Sequence, residues 1–275
     1  MRQGNGIQYR KLSGFSAQGL RIWGLLFLLC GAVGYGLFPI MIGSYGLDAD
    51  NLTKAPMSMV GVGTALQVLM FCALPIFAFL LVQGMMHTVS VKNYATRVAY
   101  LALLTELPFN LCMSGKLFGA FSFENGLHFD FSQFSLNPVF GVLLCLLVLM
   151  FFRQFPGRNM KNIGIKLVIW MVAFLWVEML HIEYANMMLV IVAVIWIFRA
   201  KKPMLVFCGC VAMFLCSVFT LGDLGAESIG CCVAPLTFLL IHFYNEEPGE
   251  GNRYINYLAY PVMLLVIGLV GKFAL

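Results

Sequence analysis

Charge is what this chain has least of. Only 11% of its 275 residues are Asp, Glu, Lys or Arg, against about 25% in an ordinary soluble domain, while 61% are apolar. A soluble fold cannot hide that much apolar surface. Apolar runs recur along the whole length, as at 140–152, 184–198 and 204–221, and they do not alternate in short segments, which excludes a transmembrane β-barrel. There is no separate soluble domain, no long linker and no low-complexity segment. None of the nine cysteines forms a Cys-x-x-Cys. Cys208/Cys210 and Cys231/Cys232 are close pairs, but most cysteines lie within apolar runs, where a reduced thiol packs as a small apolar residue. Nothing matches a P-loop, a Rossmann glycine fingerprint or a Gly-x-Ser-x-Gly elbow. No second half repeats the first, which argues against a transporter built from repeats.

What is present is an all-α, polytopic transmembrane helical bundle, one integral membrane domain over 1–275. A hydrocarbon core takes about 20 apolar helical residues. On that measure spans are expected at about 19–42, 59–84, 94–113, 136–152, 163–180, 184–199, 203–221, 228–244 and 255–273, with loops at 43–56, 114–135, 155–162 and 245–253. Arg2, Arg10, Lys11 and Arg21 precede a first apolar run long enough to span, so the N-terminus reads as an anchor and not as a cleaved signal. With the N-terminus cytoplasmic and nine spans alternating, 14 of the 17 Lys+Arg fall inside and only Lys54, Lys116 and Lys272 outside. This is the positive-inside pattern. Merging the fifth and sixth spans would place Arg199, Lys201 and Lys202 outside and break it. The net charge of +5 is thus a topology signal that calls for a lipid bilayer, in a multi-pass protein of the cell membrane, and for no nucleic acid. The segment 115–133 is too polar and short to span. Its phenylalanines, with Glu124, His128 and Asp130, suggest an interfacial or re-entrant cap: an aromatic anchor or a lid.

The polar residues that remain inside apolar stretches are the candidates for function. Glu106 shares a helical face with Phe109 and Asn110, and Pro108 leaves the carbonyl of Leu104 without its usual donor. A buried polar clamp between helices and a binding or proton-handling role both fit. His87, Thr88, Lys92, Tyr94 and Arg97 gather at the turn between spans two and three. A histidine there suits general acid–base work near neutral pH, and Lys92 and Arg97 suit phosphate groups, although a solvated turn with inside-positive charges has the same composition. Glu178 and His181 stand one helical turn apart, but carboxylate-bridged metal sites need a second such pair and none exists, so no metal is expected. Tyr244-Asn245 leads into a loop with Gly249 and Gly251 and a last span opened by Tyr260-Pro261.

The order of these motifs resembles the TraX family, membrane proteins typified by the F-pilin acetylase of conjugation systems. The likeness runs from Leu12-Ser13-Gly14 and Leu20-Arg21-Ile22, through Pro75 to Gly84, His87-Thr88, Tyr94, Arg97 and Thr105-Glu106-Leu107-Pro108-Phe109-Asn110. It continues at Asn137, Glu183-Tyr184, Tyr244-Asn245 and Tyr260-Pro261. The resemblance implies an integral membrane N-acetyltransferase that moves an acetyl group from cytoplasmic acetyl-CoA to an amine acceptor, a peptide or a small amine. On that reading His87 and Glu106 are the catalytic pair and Lys92 and Arg97 hold the donor. Thr88, Tyr94, Asn110, Asn137, Glu183, Tyr184 and Asn245 then supply the polar surroundings. This sequence departs from the family pattern at several places. An Asp-His pair usual before the first Phe-Pro is Gly31-Ala32, a histidine usual after the last Tyr-Pro is Met263, and a glutamate often found before Gly84 is Gln83. Asn110 and Glu183 stand where aspartates are usual. A non-catalytic relative that binds a membrane partner or a small ligand is the alternative these departures raise.

Overall fold

Capping side chains start the helices, and proline decides where they bend. A computed structural model describes residues 14–38, 40, 57–115, 121–122, 128–129, 135–157, 159–220 and 225–273. Helix α1 (Ala17–Ala32) begins at Ser16, whose Oγ accepts from Gly19 N at 3.2 Å, and runs on into a π-helical turn at Val33–Leu37. The next apolar stretch, Val60–His87, has spanning length but contains Pro75. Its ring has no N–H for the Phe71 carbonyl, which accepts from Leu74 N at 3.2 Å instead. One expected span is therefore two helices, α2 (Met57–Met70) and α3 (Ala73–His87). Three residues then turn the chain into α4 (Val91–Ser114), capped by Ser90 at its start and ended by Gly115 at φ 68°, a left-handed position that glycine takes without cost.

Outside the helices, the described residues include one minimal ladder, β1 (Phe121–Ser122) against β2 (His128–Phe129), antiparallel with Phe121 opposite Phe129. Asn125-Gly126 lies between them in sequence, a hairpin signature within the segment expected to be an interfacial cap. Most of that segment, and the loop 43–56, lie outside the described residues. Asn137 caps α5 (Pro138–Gln154), with Pro138 at the first helical position, where its missing N–H is harmless. α6 (Met160–Leu180) and α7 (Ala185–Phe198) are separate helices. The tight turn between them uses left-handed backbone at His181 and Tyr184 and is pinned to Leu136 by Leu136 N→His181 O and Glu183 N→Leu136 O. α8 (Lys202–Phe219) follows. The next rod is broken at Pro235 into α9 (Ala226–Val233), a 3-10 turn (Ala234–Leu236) and α10 (Thr237–His242), and α11 (Arg253–Phe273) closes the chain.

α3 is the centre of the bundle. It packs on α1, α5, α7 and α10, and Ile76, Ala78, Phe79, Leu81, Val82 and Met85 are buried along it. The broadest helix pairing joins α4 and α11. A Cβ on Gly268 would come within 3.0 Å of Cys112 N, so glycine there lets two backbones touch. α6 is the opposite case. Leu167, Val168, Met171, Val172, Leu175, Trp176 and Met179 are all exposed on it, a face that only apolar surroundings accommodate. Among the described residues, five stretches are long and apolar enough to cross a membrane: Ala17–Leu37, Val60–His87, Met160–Leu180, Lys202–Phe219 and Ile255–Phe273. Pro138–Gln154, Ala185–Phe198 and Ala226–His242 are shorter apolar helices.

Candidate functional site

Short turns reverse the chain repeatedly, so Arg21, His87, Lys92, Arg97, Arg153, Arg199 and Lys202 collect at one end of the bundle and Glu178, Glu183 and Glu227 at the other. At the basic end, the turn from α3 to α4 makes a shallow open groove lined by His87, Thr88, Val89, Ser90, Asn93, Thr96 and Arg97. His87 is in the last turn of α3, and Thr88 closes that helix through its N–H to Gly84 O at 3.0 Å. Ser90 Oγ accepts from Asn93 N at 3.4 Å, and Arg97 Nε donates to Asn93 O at 3.3 Å. These local bonds leave most of the guanidinium donors, and the exposed imidazole, open to the groove. Lys92 is exposed on the rim, one position before Asn93. Tyr94 points elsewhere, toward Gly84: a Cβ there would lie 3.2 Å from the Tyr94 hydroxyl.

A strap covers the neighbouring surface. Phe15 pairs with Tyr244 as an isolated parallel bridge, with Phe15 N→Phe243 O at 2.9 Å and Asn245 N→Phe15 O at 3.0 Å. Asn245 Oδ1 accepts from Glu247 N at 3.1 Å, so its side chain shapes the strap. Lys202 Nζ reaches Glu246 Oε1 at 2.8 Å and the Tyr244 carbonyl at 3.3 Å. The hydrogen-bonded Lys202 ammonium holds the Glu246 carboxyl below the usual carboxylate range, and His87 acts in the same direction. Lys202 and Glu246 were not among the residues expected from sequence. Their meeting depends on a contact across 44 positions that no local pattern announces.

Glu106 is not part of this groove. Nine residues at about 1.5 Å each put it roughly 14 Å along α4 from Arg97, the nearest groove residue on that helix. There its carboxylate faces the start of α5: Oε2 accepts from Asn137 Nδ2 at 2.6 Å and Asn137 N at 3.2 Å, and Oε1 from Asn110 Nδ2 at 3.3 Å. Asn137 is fully buried. It also donates to Ala102 O at 2.9 Å and accepts from Val139 N at 2.9 Å. The partner of Glu106 is thus Asn137 on another helix, and His87 stands apart from it in the groove. The carboxylate clamps α4 to α5 at a helix N-terminus, where negative charge is favoured.

Glu183 and Tyr184 lie at the acidic end. The Tyr184 hydroxyl bonds Tyr35, and its ring meets Phe71 edge-on at 5.3 Å. Burial lifts the Glu183 carboxyl above the usual range and the Glu227 carboxylate adds to the rise, against a hydrogen bond with Ser135. The folded chain therefore holds this proton more tightly than the unfolded chain. Its contribution to stability is present at acid pH and is lost as pH rises through the folded pKa. Glu183→Gln is expected to raise the melting temperature in detergent at pH 7.5, with the gain vanishing near pH 4. A variant less stable than wild type at pH 7.5 would show that the ionised carboxylate is the stabilising form. The nearby Glu178 accepts from Asn186 Nδ2, His181 is exposed, and no group of three or more His, Cys, Asp or Glu among the described residues is placed to hold a metal ion.

A family model described as TraX protein matches residues 50–271. The chain belongs to the TraX family. The match takes in α2 to α11 and therefore the groove, Glu106, Asn137, Glu183, the strap and Met263, while α1 precedes it. No curated protein and no solved structure matches the chain. At the positions where the resemblance leads one to expect intramembrane Asp and His, this TraX protein is apolar. Ala32 is buried in a cluster with Phe109, Cys112, Leu264 and Ile267, against which Met263 and Tyr260 pack. A Cβ on Gly31 would come within 2.4 Å of Met70 Cγ.

Proposed function

We propose that this TraX protein is a multi-pass membrane acyltransferase that takes an acetyl group from acetyl-CoA at the groove between α3 and α4 and passes it to an amine. The observation that carries the reading is the groove itself, which places His87 and Thr88 from the end of α3 beside Asn93 and Arg97 from the start of α4. Acetyl-CoA supplies an activated thioester and several phosphate charges. Arg97 offers a planar fork of donors for a phosphate and Lys92 a mobile point charge. His87 takes the proton as the acceptor amine attacks the thioester carbonyl. The C–N bond forms, the C–S bond breaks, and the leaving thiolate recovers a proton.

The first test is whether protein purified in detergent binds acetyl-CoA. Arg97→Ala is expected to weaken that binding several-fold at low salt, and the difference should shrink at high salt because exposed charges are screened within about 10 Å at 0.1 M. Equal affinity of wild type and variant at low salt would leave the turn as a topology signal only.

The same reading includes nine spans with the basic end cytoplasmic. It is supported by the five helices of spanning length and by the gathering of cations at one end. A single cysteine placed in 155–162 should then resist an impermeant thiol reagent in intact cells, and one placed in 43–56 should react. The reverse labelling would overturn the orientation.

A second reading, a non-catalytic TraX protein binding a partner or small ligand, is favoured by the apolar cluster around Ala32 and Met263. It predicts acetyl-CoA binding or partner binding with no release of thiol in the presence of amines.

A further inference from the structure

The groove between α3 and α4 does not end at Arg97. Asn93, Thr96 and Arg97 line it, and all three are exposed on the first two turns of α4. Positions three and four further along a helix share its face, and there α4 exposes Tyr100, Leu103, Leu104 and Leu107. One stripe of the helix is thus polar and cationic at its head and aromatic or aliphatic below. Ten steps of about 1.5 Å run from Arg97 to Leu107, roughly 15 Å in all, which is one leaflet of a hydrocarbon core about 30 Å thick. Met86 and Val89 are also exposed at the turn. Apolar side chains among hydroxyls and cations suit the headgroup layer.

The head of the stripe suits an anion. Among the described residues, no carboxylate lines the groove. Arg97 commits its Nε to Asn93 O, at 3.3 Å, and its two terminal nitrogens remain for a ligand. Ser90 Oγ accepts from Asn93 N at 3.4 Å and keeps its own proton to donate. Thr96 Oγ1, by contrast, already donates to Lys92 O at 3.0 Å. Lys92 stands exposed on the rim. An ordinary lipid-facing surface under an inside-positive turn accounts for exposed leucines with cations near them. It does not account for a concave head, lined by no acid, whose wall runs on into the apolar stripe.

We propose that the groove and the stripe together bind an anionic glycerophospholipid, its phosphate on Arg97 and Ser90 with Lys92 at the rim, and one acyl chain laid along Tyr100, Leu103, Leu104 and Leu107. A guanidinium meets phosphate oxygens with paired hydrogen bonds, and the stripe and the chain both follow one leaflet. The head provides the selection, since any lipid can cover the leucines. A zwitterionic head carries the same phosphate together with a cation, which Lys92 and Arg97 oppose. This site goes beyond the acyltransferase reading and does not rest on it. Both ligands use Arg97, so lipid and coenzyme compete for the groove wherever both bind.

The test uses the full chain in phosphatidylcholine nanodiscs. Two photoactivatable probes are compared, a phosphatidylglycerol and a phosphatidylcholine, each with a diazirine midway along one acyl chain, and the labelled residues are mapped by peptide mass spectrometry. The exposed α6 residues Leu175, Trp176 and Met179 report ordinary lipid contact. Phosphatidylglycerol is expected to label 100–107 roughly tenfold more than phosphatidylcholine does, the worth of one charge-assisted contact, with no such ratio on α6. Arg97→Gln, with a melting curve to establish that it folds, should bring the ratio on α4 down to that on α6. Arg97→Lys should restore only part of it, because a point charge replaces the fork. Equal labelling of 100–107 by both probes in wild type would overturn the site, an outcome that needs no variant, and so would a ratio that survives Arg97→Gln. Excess glycerol 3-phosphate should leave the labelling in place. If it abolishes the labelling, the groove takes a phosphate without chains and the lipid assignment falls. Coenzyme A binding to the same nanodiscs separates the two readings. Its absence beside an Arg97-dependent lipid ratio sinks the donor site alone, and its presence beside equal labelling sinks the lipid site alone.

Discussion

Replacing His87 by alanine is expected to slow acetyl transfer about 10²- to 10⁴-fold, the usual span for removing a general base, while acetyl-CoA affinity changes little. The split follows from placement. His87 stands in the groove wall with its ring exposed, whereas the cations proposed to hold the donor are Arg97 and Lys92 on the next helix. Arg97→Ala should show the converse, weaker donor binding with a smaller effect on the rate at saturation. Steady-state release of coenzyme A thiol, measured against acetyl-CoA concentration for both variants, separates the two. An alanine variant at His87 that turns over like wild type would remove the base from the mechanism and favour the binding-only reading. That reading already has the apolar cluster around Ala32 and Met263 in its support.

Much of the scaffold was legible because it is written in composition. The described residues of each stretch expected to span are helical, although the stretches 59–84 and 228–244 are broken beside Pro75 and Pro235, and the boundary between α6 and α7 stands where Glu178, His181 and Glu183 interrupt the apolar run. Other features were written too but are easy to pass over. The Phe71–Cys72 break follows from Pro75, and the β1–β2 ladder surrounds an Asn-Gly pair. The His87 groove was legible for a different reason: all its residues lie within 87–97, so a three-residue turn is enough to assemble it. What sequence could not show are contacts whose partners are far apart. Gln18 with Asn256 spans 238 positions, and Lys202 with Glu246 involves a strap whose path depends on the start of α1. Glu106 belongs here as well. Its isolation in an apolar stretch marked it as needing a partner, but the choice between His87 at one end of α4 and Asn137 beyond its other end is made by the packing of α5.

Asn137→Ala is expected to be the most destabilising single change at a polar residue. The substitution removes the cap from α5, worth about 1 kcal/mol. It also strips a carboxylate and the Ala102 carbonyl of a donor in the bundle interior, worth about 1–3 kcal/mol more. Together these correspond to a fall of roughly 5–10 °C in melting temperature for a chain of this size. Glu106→Ala should cost nearly as much, since it leaves Asn137 N without its side-chain acceptor and Asn137 Nδ2 with the Ala102 carbonyl alone. The double variant should cost little more than the worse single one, because both remove the same clamp. Glu106→Gln is the discriminating change. Its side-chain oxygen can still accept from Asn137, and the Asn110 amide can turn its oxygen toward the new NH₂ group. It should melt within a few degrees of wild type and keep coenzyme binding and transfer intact, because even Arg97, the groove residue nearest to Glu106 in α4, is roughly 14 Å away along the helix. A Gln variant that melts like wild type yet loses transfer would show that the Glu106 charge reaches the chemistry after all. That result would also require a path along α4 from Asn137 to His87, and the clamp would then be the device that holds one end of it.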